Sequence, residues 1–146
     1  DMLRGCACQG TAGFVHVSCL VEQAKVLVAE AEDNNLDNKA FNEVIARWGH
    51  CSLCGQRYHS DVVCALGWAC WKTYVGRPEG NWARCMAMSQ LGAGLYHADK
   101  IEDALTVQEA HLSTLRRVGD PGNNLLTLQS NLASTYQSLG QLDRAL

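Results

Sequence analysis

Apolar residues recur at helical spacing along most of the chain that follows its first sixteen residues. From Val17 they return every three or four positions until the polar stretch EDNNLDN, which predicts an amphipathic helix with Leu20, Ala24, Leu27 and Ala31 on one face. A second helix is predicted next, with a face formed by Phe41, Val44, Ile45 and Trp48. Residues 1–16 are rich in glycine and cysteine and show no period, so we expect a loop region there.

The segment VVCALGWACWKTY (62–74) is apolar on nearly all sides, which predicts a helix over residues 61–75 that is buried between neighbours. Asp61 stands where it can cap this helix, and Gly76 with Pro78 ends it. We expect the cysteines and tryptophans of the apolar helices to pack in the core: Cys64, Cys70, Cys85, Trp68, Trp71 and Trp82. The histidines outside any motif are expected at the surface or in turns: His50, His59, His97 and His111.

The last third of the chain repeats itself. QLGAGLYHADKIEDAL (90–105) aligns with NLASTYQSLGQLDRAL (131–146) at an offset of 131 − 90 = 41 residues, with small residues on small and large on large. This pattern resembles the tetratricopeptide repeat, in the long variety found in kinesin light chains. The resemblance places helices at about 81–96, 100–118 and 124–139, with Gly119 and Gly140 at C-cap positions. The resemblance implies antiparallel helices stacked as a solenoid, with one and a half repeats in this chain.

Two packing expectations follow from the repeat. Gly92 is expected to approach Ala104 closely, because small side chains permit a near contact between helices. Leu91, Leu95 and Leu105 are expected to be buried in one layer, with the 61–75 helix packed against the first helix of the repeat.

Composition narrows the functional classes. The chain carries 12 basic and 15 acidic residues, a net charge of −3, and shows no basic stripe, which argues against nucleic-acid binding. The apolar run Val62–Trp71 is too short to span a bilayer, and no signal peptide opens the chain. Five of the eight cysteines stand in metal-type spacings together with a histidine, which favours zinc in a reducing compartment. We therefore expect an intracellular, cytoplasmic protein without a membrane span.

Soft metal ligands occur in three close pairs: Cys6-x-Cys8, His16-x-x-Cys19 and Cys51-x-x-Cys54. Such pairs aim two side chains at one ion, and zinc takes four sulfur or imidazole ligands at tetrahedral corners. Spacing alone leaves open which pairs share an ion. Cys51-x-x-Cys54 by itself is also compatible with a redox pair, but no strand–CxxC–helix context surrounds it.

The stretch CACQGTAGFVHVSCL (6–20) resembles the RING-CH zinc finger, in Gly10, Thr11, Phe14, Val15 and Leu20 as well as in the ligand pairs. The resemblance covers residues 1–58, with a long insert between Cys19 and Cys51. It implies a cross-brace of two zinc sites: one held by Cys6, Cys8, Cys51 and Cys54, and one that uses His16 and Cys19. The remaining ligands of the second site would lie before Asp1, and the last residues stop within an apparent helix. We therefore expect the chain to be part of a longer protein.

The two resemblances together imply a mainly α-helical protein. Its expected parts are a RING-CH-like finger (1–58), a connecting buried helix (59–80) and tetratricopeptide-like repeats (81–146). RING-CH fingers bind a ubiquitin-conjugating enzyme and promote ubiquitin transfer without a nucleophile of their own, and repeats of this kind bind protein or peptide partners. We therefore expect an E3 ubiquitin ligase without catalytic side chains. The alternative is a non-catalytic interaction scaffold in which the zinc finger is purely structural.

Overall fold

The computed structural model describes residues 2–120 and 124–140. Two short strands, β1 (Met2–Arg4) and β2 (Phe14–His16), pair antiparallel with Leu3 opposite Val15, and a 3₁₀ turn (Gly10–Gly13) precedes β2. Within the described ranges, helices then make up most of the fold: α1 (Val17–Asn34), α2 (Asn38–Ala46), α3 (Ser60–Tyr74), α4 (Trp82–His97), α5 (Ile101–Val118) and α6 (Asn124–Ser138). The mainly helical class is confirmed. A tetratricopeptide solenoid and the three-part domain division stay predictions.

The bounds of α3 to α6 agree with the predicted ones to within one residue. The first helix continues to Asn34, three residues into the polar stretch that was expected to end it, and α2 ends at Ala46, before Trp48. The insert between the ligand pairs forms α1 and α2, and α1 buries Ala24, Val28 and Ala31. This face packs in one cluster with Trp48, Tyr74 and residues of α4. The insert therefore covers the sides of α3 and α4, which explains how a nearly all-apolar helix is shielded from water.

Two expectations for α3 were wrong. His59, not Asp61, occupies its N-cap position and makes no capping hydrogen bond with its side chain. Asp61 lies inside the first turn, where its carboxylate is favoured by the positive end of the helix dipole. Trp68 is 42% exposed, because the elements that pack on α3 leave this side of it open.

Glycines set the close packing of α3 on α4, the contact that was predicted between the 61–75 helix and the first repeat helix. A Cβ atom at Gly94 would lie 2.7 Å from the carbonyl oxygen of Val63, and one at Gly67 would lie 3.0 Å from that of Gln90. Neither position leaves room for a methyl group without a backbone shift. The two helices therefore pack closely because each has a glycine, without a side chain, where it faces the backbone of the other.

The repeat helices pack in sequence, α4 on α5 and α5 on α6, but with different contacts from those expected. The atoms nearest to a Cβ at Gly92 belong to Gln108 and Val107, not to Ala104. Leu91 and Leu95 share one buried cluster, as expected, but the residue that joins them from α5 is Ala104 and not Leu105. Leu105 packs in another cluster, with residues of α6, because the next residue on a helix is rotated by about 100°.

The buried cysteines were predicted correctly, since Cys64, Cys70 and Cys85 lie in the core. The expectation for His111 was wrong, because only 1% of its surface is exposed. Its position on α5 explains this, since Ala104, Gln108, His111 and Leu115 follow one another at spacings of four, three and four and form a buried stripe.

Candidate metal centre

Four thiols meet at one point. The Sγ atoms of Cys6, Cys8, Cys51 and Cys54 lie within 4.8 Å of one another, and those of Cys8 and Cys51 are 3.7 Å apart. A tetrahedral zinc ion with Zn–S bonds of about 2.3 Å requires sulfur–sulfur distances of about 3.8 Å. The four side chains therefore fit zinc with little adjustment. Thiolate ligands also suit other soft ions, so the donor set is compatible with zinc without identifying it.

Tight backbone contacts hold the first two cysteines in place. The N–H of Gly5 donates to the carbonyl of Gly13 (2.8 Å), which closes the loop that carries Cys6 and Cys8. A Cβ atom at Gly13 would lie 2.4 Å from the carbonyl oxygen of Cys8, so the loop closes this far only with glycine there. The N–H of His59 donates to the Gly5 carbonyl (2.7 Å), which ties the loop to the start of α3.

The second pair lies on a tight turn, residues 51–54, which we call the knuckle. The N–H of Gly55 donates to the carbonyl of Cys51 (3.0 Å), and Gly55 has a φ of 72°, a region that favours glycine. The N–H of Leu53 points at the Cys51 sulfur (3.4 Å), as is expected of a turn that wraps a thiolate. This geometry leaves the side chain of Leu53 at the apex, 75% exposed.

The metal centre rests on α3. Cys6 and Cys51 are buried in one cluster with Tyr58, and the same cluster contains Val62, Val63 and Leu66 of α3. The apolar wall keeps water from one side of the thiols and fixes their positions against a helix. Tyr58 lies four residues after Cys54, and burial raises the pKa of its hydroxyl to about 12, so it is neutral at pH 7.

Electrostatics within the cluster favour a cation. Burial raises the pKa of the Cys6 thiol, and a hydrogen bond with Cys6, together with burial, raises that of Cys8 to about 12. Burial acts in the same direction on Cys51, but hydrogen bonds from the backbone N–H groups of Cys54 and Leu53, together with those from the Cys6 and Cys8 thiols, outweigh it and bring the pKa to about 7. Four adjacent thiols cannot all ionise without a positive charge among them, and a divalent ion supplies that charge.

The remaining predicted ligands, His16 and Cys19, lie together at the start of α1. The Nδ1 atom of His16 is 3.9 Å from the Sγ atom of Cys19, and both side chains are exposed. Among the described residues, no further cysteine, histidine or carboxylate joins them in a group that could hold a metal. Metal binding by this pair therefore stays a prediction. Neither Cys64 nor Cys70 takes part, and the Cys70 thiol instead donates to the sulfur of Met86 (3.6 Å).

Sequence reasoning missed Tyr58 and the two loop glycines. The signal for Gly5 and Gly13 was present, since both flank a ligand pair in a segment without periodicity. Nothing in the sequence indicated that Tyr58 is buried, because an aromatic residue after a turn is found at the surface as well as in the core.

None of the helices in the described ranges is long and apolar enough to cross a membrane. Comparison of the chain with protein-family models, curated proteins and solved structures gave no match. Function is therefore inferred from the geometry of the site itself.

Proposed function

We propose that the chain belongs to an E3 ubiquitin ligase in which the metal-held finger docks a ubiquitin-conjugating enzyme and helices α4–α6 recruit a partner. The observation that carries the proposal is the convergence of Cys6 and Cys8 with Cys51 and Cys54. These are the pairs that share an ion in the cross-brace which the RING-CH resemblance implies.

A zinc ion with four protein thiolates has no open position for water, so such a site performs no Lewis-acid chemistry. Its contribution is the shape of the surface around it. That surface includes an exposed large apolar side chain, Leu53, held at the apex of the knuckle by the N–H···S contact to Cys51. A rigidly held, exposed leucine is suited to anchor a partner protein, because its burial on binding is favourable and its backbone is already ordered.

The position of the finger relative to the helices supports transfer by positioning. Val63 packs with Cys6 and Cys51 through its side chain, and its carbonyl lies against Gly94 of α4. One residue of α3 thus contacts both the metal centre and the first repeat helix. A conjugating enzyme on the knuckle and a partner on α4–α6 would be held at a fixed separation, which raises the effective concentration of the reacting groups.

The test is discharge of ubiquitin from charged conjugating enzymes onto free lysine, for a panel of enzymes, with and without the chain. Leu53→Ala is compared with Leu126→Ala, a matched control because each leucine is 75% exposed and Leu126 lies on α6. We expect stimulation by the wild type, a loss of about fivefold or more with Leu53→Ala, and no change with Leu126→Ala. Equal rates for the two variants, or no stimulation of any enzyme, would contradict the proposal.

A second function, an interaction scaffold with a structural metal, is favoured by one observation. Gly55 follows the last ligand with a φ of 72°, and this conformation disfavours the basic residue that many ligase fingers carry there to help hold ubiquitin. The scaffold predicts that Cys51→Ser and Cys54→Ser unfold the finger, while no conjugating enzyme binds the wild-type chain. Binding of an enzyme that Leu53→Ala weakens would exclude it.

A further inference from the structure

A groove of about 260 Å³ lies where the segment after the knuckle meets the repeat helices. The residues that line it come from four parts of the chain: Arg57, then Ala93, Tyr96 and His97 of α4, Gln108 of α5, and Asn131 and Ser134 of α6. None of these residues is acidic. The groove is thus a polar surface shared by the finger and the helices, with one permanent positive charge.

That charge is unpaired. The guanidinium of Arg57 forms neither an ion pair nor a hydrogen bond with any described residue, although the side chain is half-buried. Its backbone is fixed by a bridge to His50 on the far side of the knuckle. Charges that are partly removed from water are normally paired with a counter-ion, and an arginine held without one in a concave site is suited to bind an anion.

The opposite wall offers two hydrogen-bonding side chains, and one of them, the Ser134 hydroxyl, donates to the Ser130 carbonyl (3.2 Å) and keeps its oxygen free to accept. Asn131 and Ser134 are three residues apart on α6, so their side chains lie on the same face of that helix. An asparagine amide both donates and accepts, which suits it to the N–H and C=O of an extended peptide. The amide of Gln108 forms the floor, where the hydroxyl of Thr135 holds it at 2.6 Å.

Charge and size select the anion. Burial and the neighbouring Arg57 charge lower the pKa of His97, so this ring is neutral at pH 7 and the groove carries a single positive charge. One carboxylate matches that charge, whereas a phosphate monoester with a charge of about −1.5 to −2 would leave an excess. The volume of 260 Å³ is below the range of about 300–1,000 Å³ typical of cofactor sites and suits one or two residues of a peptide.

From this geometry we propose that the groove binds a peptide segment through one carboxylate, which Arg57 holds with its two parallel N–H groups while Asn131 and Ser134 bond the adjoining backbone. The proposal deepens the recruitment of a partner by α4–α6 and rests on the proposed function in that respect. Its test measures peptide binding directly, so that it can succeed even where ubiquitin transfer fails.

The probes are four versions of acetyl-Ala-Leu-Ala-Gln, titrated into the isotope-labelled 146-residue chain and followed through the NMR signals of α4 and α6. One version has an amidated C-terminus and no carboxylate, one has a free C-terminus, one replaces Gln by Glu in the amide, and one replaces it by phosphoserine in the amide. We expect saturable shifts with the two carboxylate peptides, and the tighter of these identifies a terminal or a side-chain carboxylate as the source. Equal binding of the uncharged peptide, or tighter binding of the phosphopeptide, would overturn the proposal.

Substitutions in the chain test whether the peptides bind in the groove. Arg57→Gln should weaken the carboxylate peptides by about tenfold or more, and Arg57→Lys should weaken them less, because lysine keeps the charge but lacks the planar fork. Lys72→Gln removes the same charge from an exposed position on α3 and should leave binding unchanged. If Arg57→Gln disturbs the spectrum of the finger, Asn131→Ala on the exposed surface of α6 takes its place and should also weaken binding. Unchanged affinity in Arg57→Gln or, where it is used, in Asn131→Ala would refute the assignment.

Discussion

Replacement of His111 by a residue that does not titrate should remove an acid-sensitive part of the stability of the protein. The imidazole lies on the buried stripe of α5, and within the described structure neither ring nitrogen has a hydrogen-bond partner. Burial lowers the pKa of His111 to about 4, against an opposing effect of the Asp120 carboxylate. In the unfolded chain the same ring has a pKa near 6.5. Between about pH 4 and pH 6.5, the His111 ring therefore binds a proton in the unfolded state but not in the folded state.

The sign and size of the effect follow from this difference. Because the folded pKa is depressed, the stabilisation from neutral His111 is complete above about pH 6.5 and is lost as the pH falls towards 4. From the two pKa values, the free energy of unfolding at pH 5 should be lower than at pH 7 by about 2 kcal/mol from this residue alone. The Cys51 thiol, with a pKa of about 7, also binds a proton at the upper end of this range, so the relevant quantity is the difference between the wild type and the variant.

The assay is urea unfolding, followed by far-ultraviolet circular dichroism at pH 7, 6 and 5, for the wild type, His111→Leu and His111→Gln. Leucine is apolar and of similar size, and glutamine is polar without titrating, so together they separate titration from packing. We expect the wild type to lose about 2 kcal/mol more than either variant between pH 7 and pH 5. Parallel loss in all three proteins would refute the reasoning, because it would mean that His111 binds its proton equally in both states.

Two further predictions concern the metal and the helix packing. Removal of zinc by a chelator should lower the melting temperature by more than about 10 °C. Cys51→Ser should release about one zinc per chain, whereas Cys64→Ala, which changes a buried thiol outside the cluster, should retain the zinc. Unchanged zinc content in Cys51→Ser would contradict the site. Gly94→Ala should lower the free energy of unfolding by about 1–3 kcal/mol, because its methyl group would lie 2.7 Å from the Val63 backbone. Gly92→Ala should lower it less, because its methyl group would lie 3.2 Å from the side chain of Gln108, which can move. The reverse order in urea unfolding would argue against glycine-controlled packing.

Apolar periodicity was sufficient to predict α1 and α2, because each has one side that is more apolar than the other, whereas the internal repeat supplied α4, α5 and α6. The same signal failed for Trp68, since a helix that is apolar all round does not indicate which side faces a neighbour. His111 was misjudged although the buried stripe of α5 includes it, because a polar residue was read singly and not by its spacing from Ala104 and Leu115. The close approach at Gly94 depends on which helix lies opposite, and no local pattern encodes that.

The sequence predicted the metal centre less completely than it predicted the helices. Ligand spacing indicated zinc but left the pairing of Cys6 and Cys8 with Cys51 and Cys54 open, and only the resemblance to RING-CH fingers supplied it. The structure brings the four sulfurs together independently of that resemblance. The unpaired charge of Arg57 became evident only from the surfaces of α4 and α6 that face it.

Metal binding and peptide binding should be coupled through residues that connect the two sites. Val63 is held on one side by the cluster around Cys6 and on the other by Gly94, and Arg57 follows the last thiol ligand, Cys54, by three residues. Loss of the metal frees the knuckle, so the guanidinium of Arg57 is no longer held at the wall of the groove and must be ordered again when a ligand binds. We therefore expect chelation to weaken the carboxylate peptides by several-fold, at a temperature where α4–α6 remain folded by circular dichroism. Equal affinity with and without the metal would show that α3 alone positions the groove, and that the finger and the helices act independently.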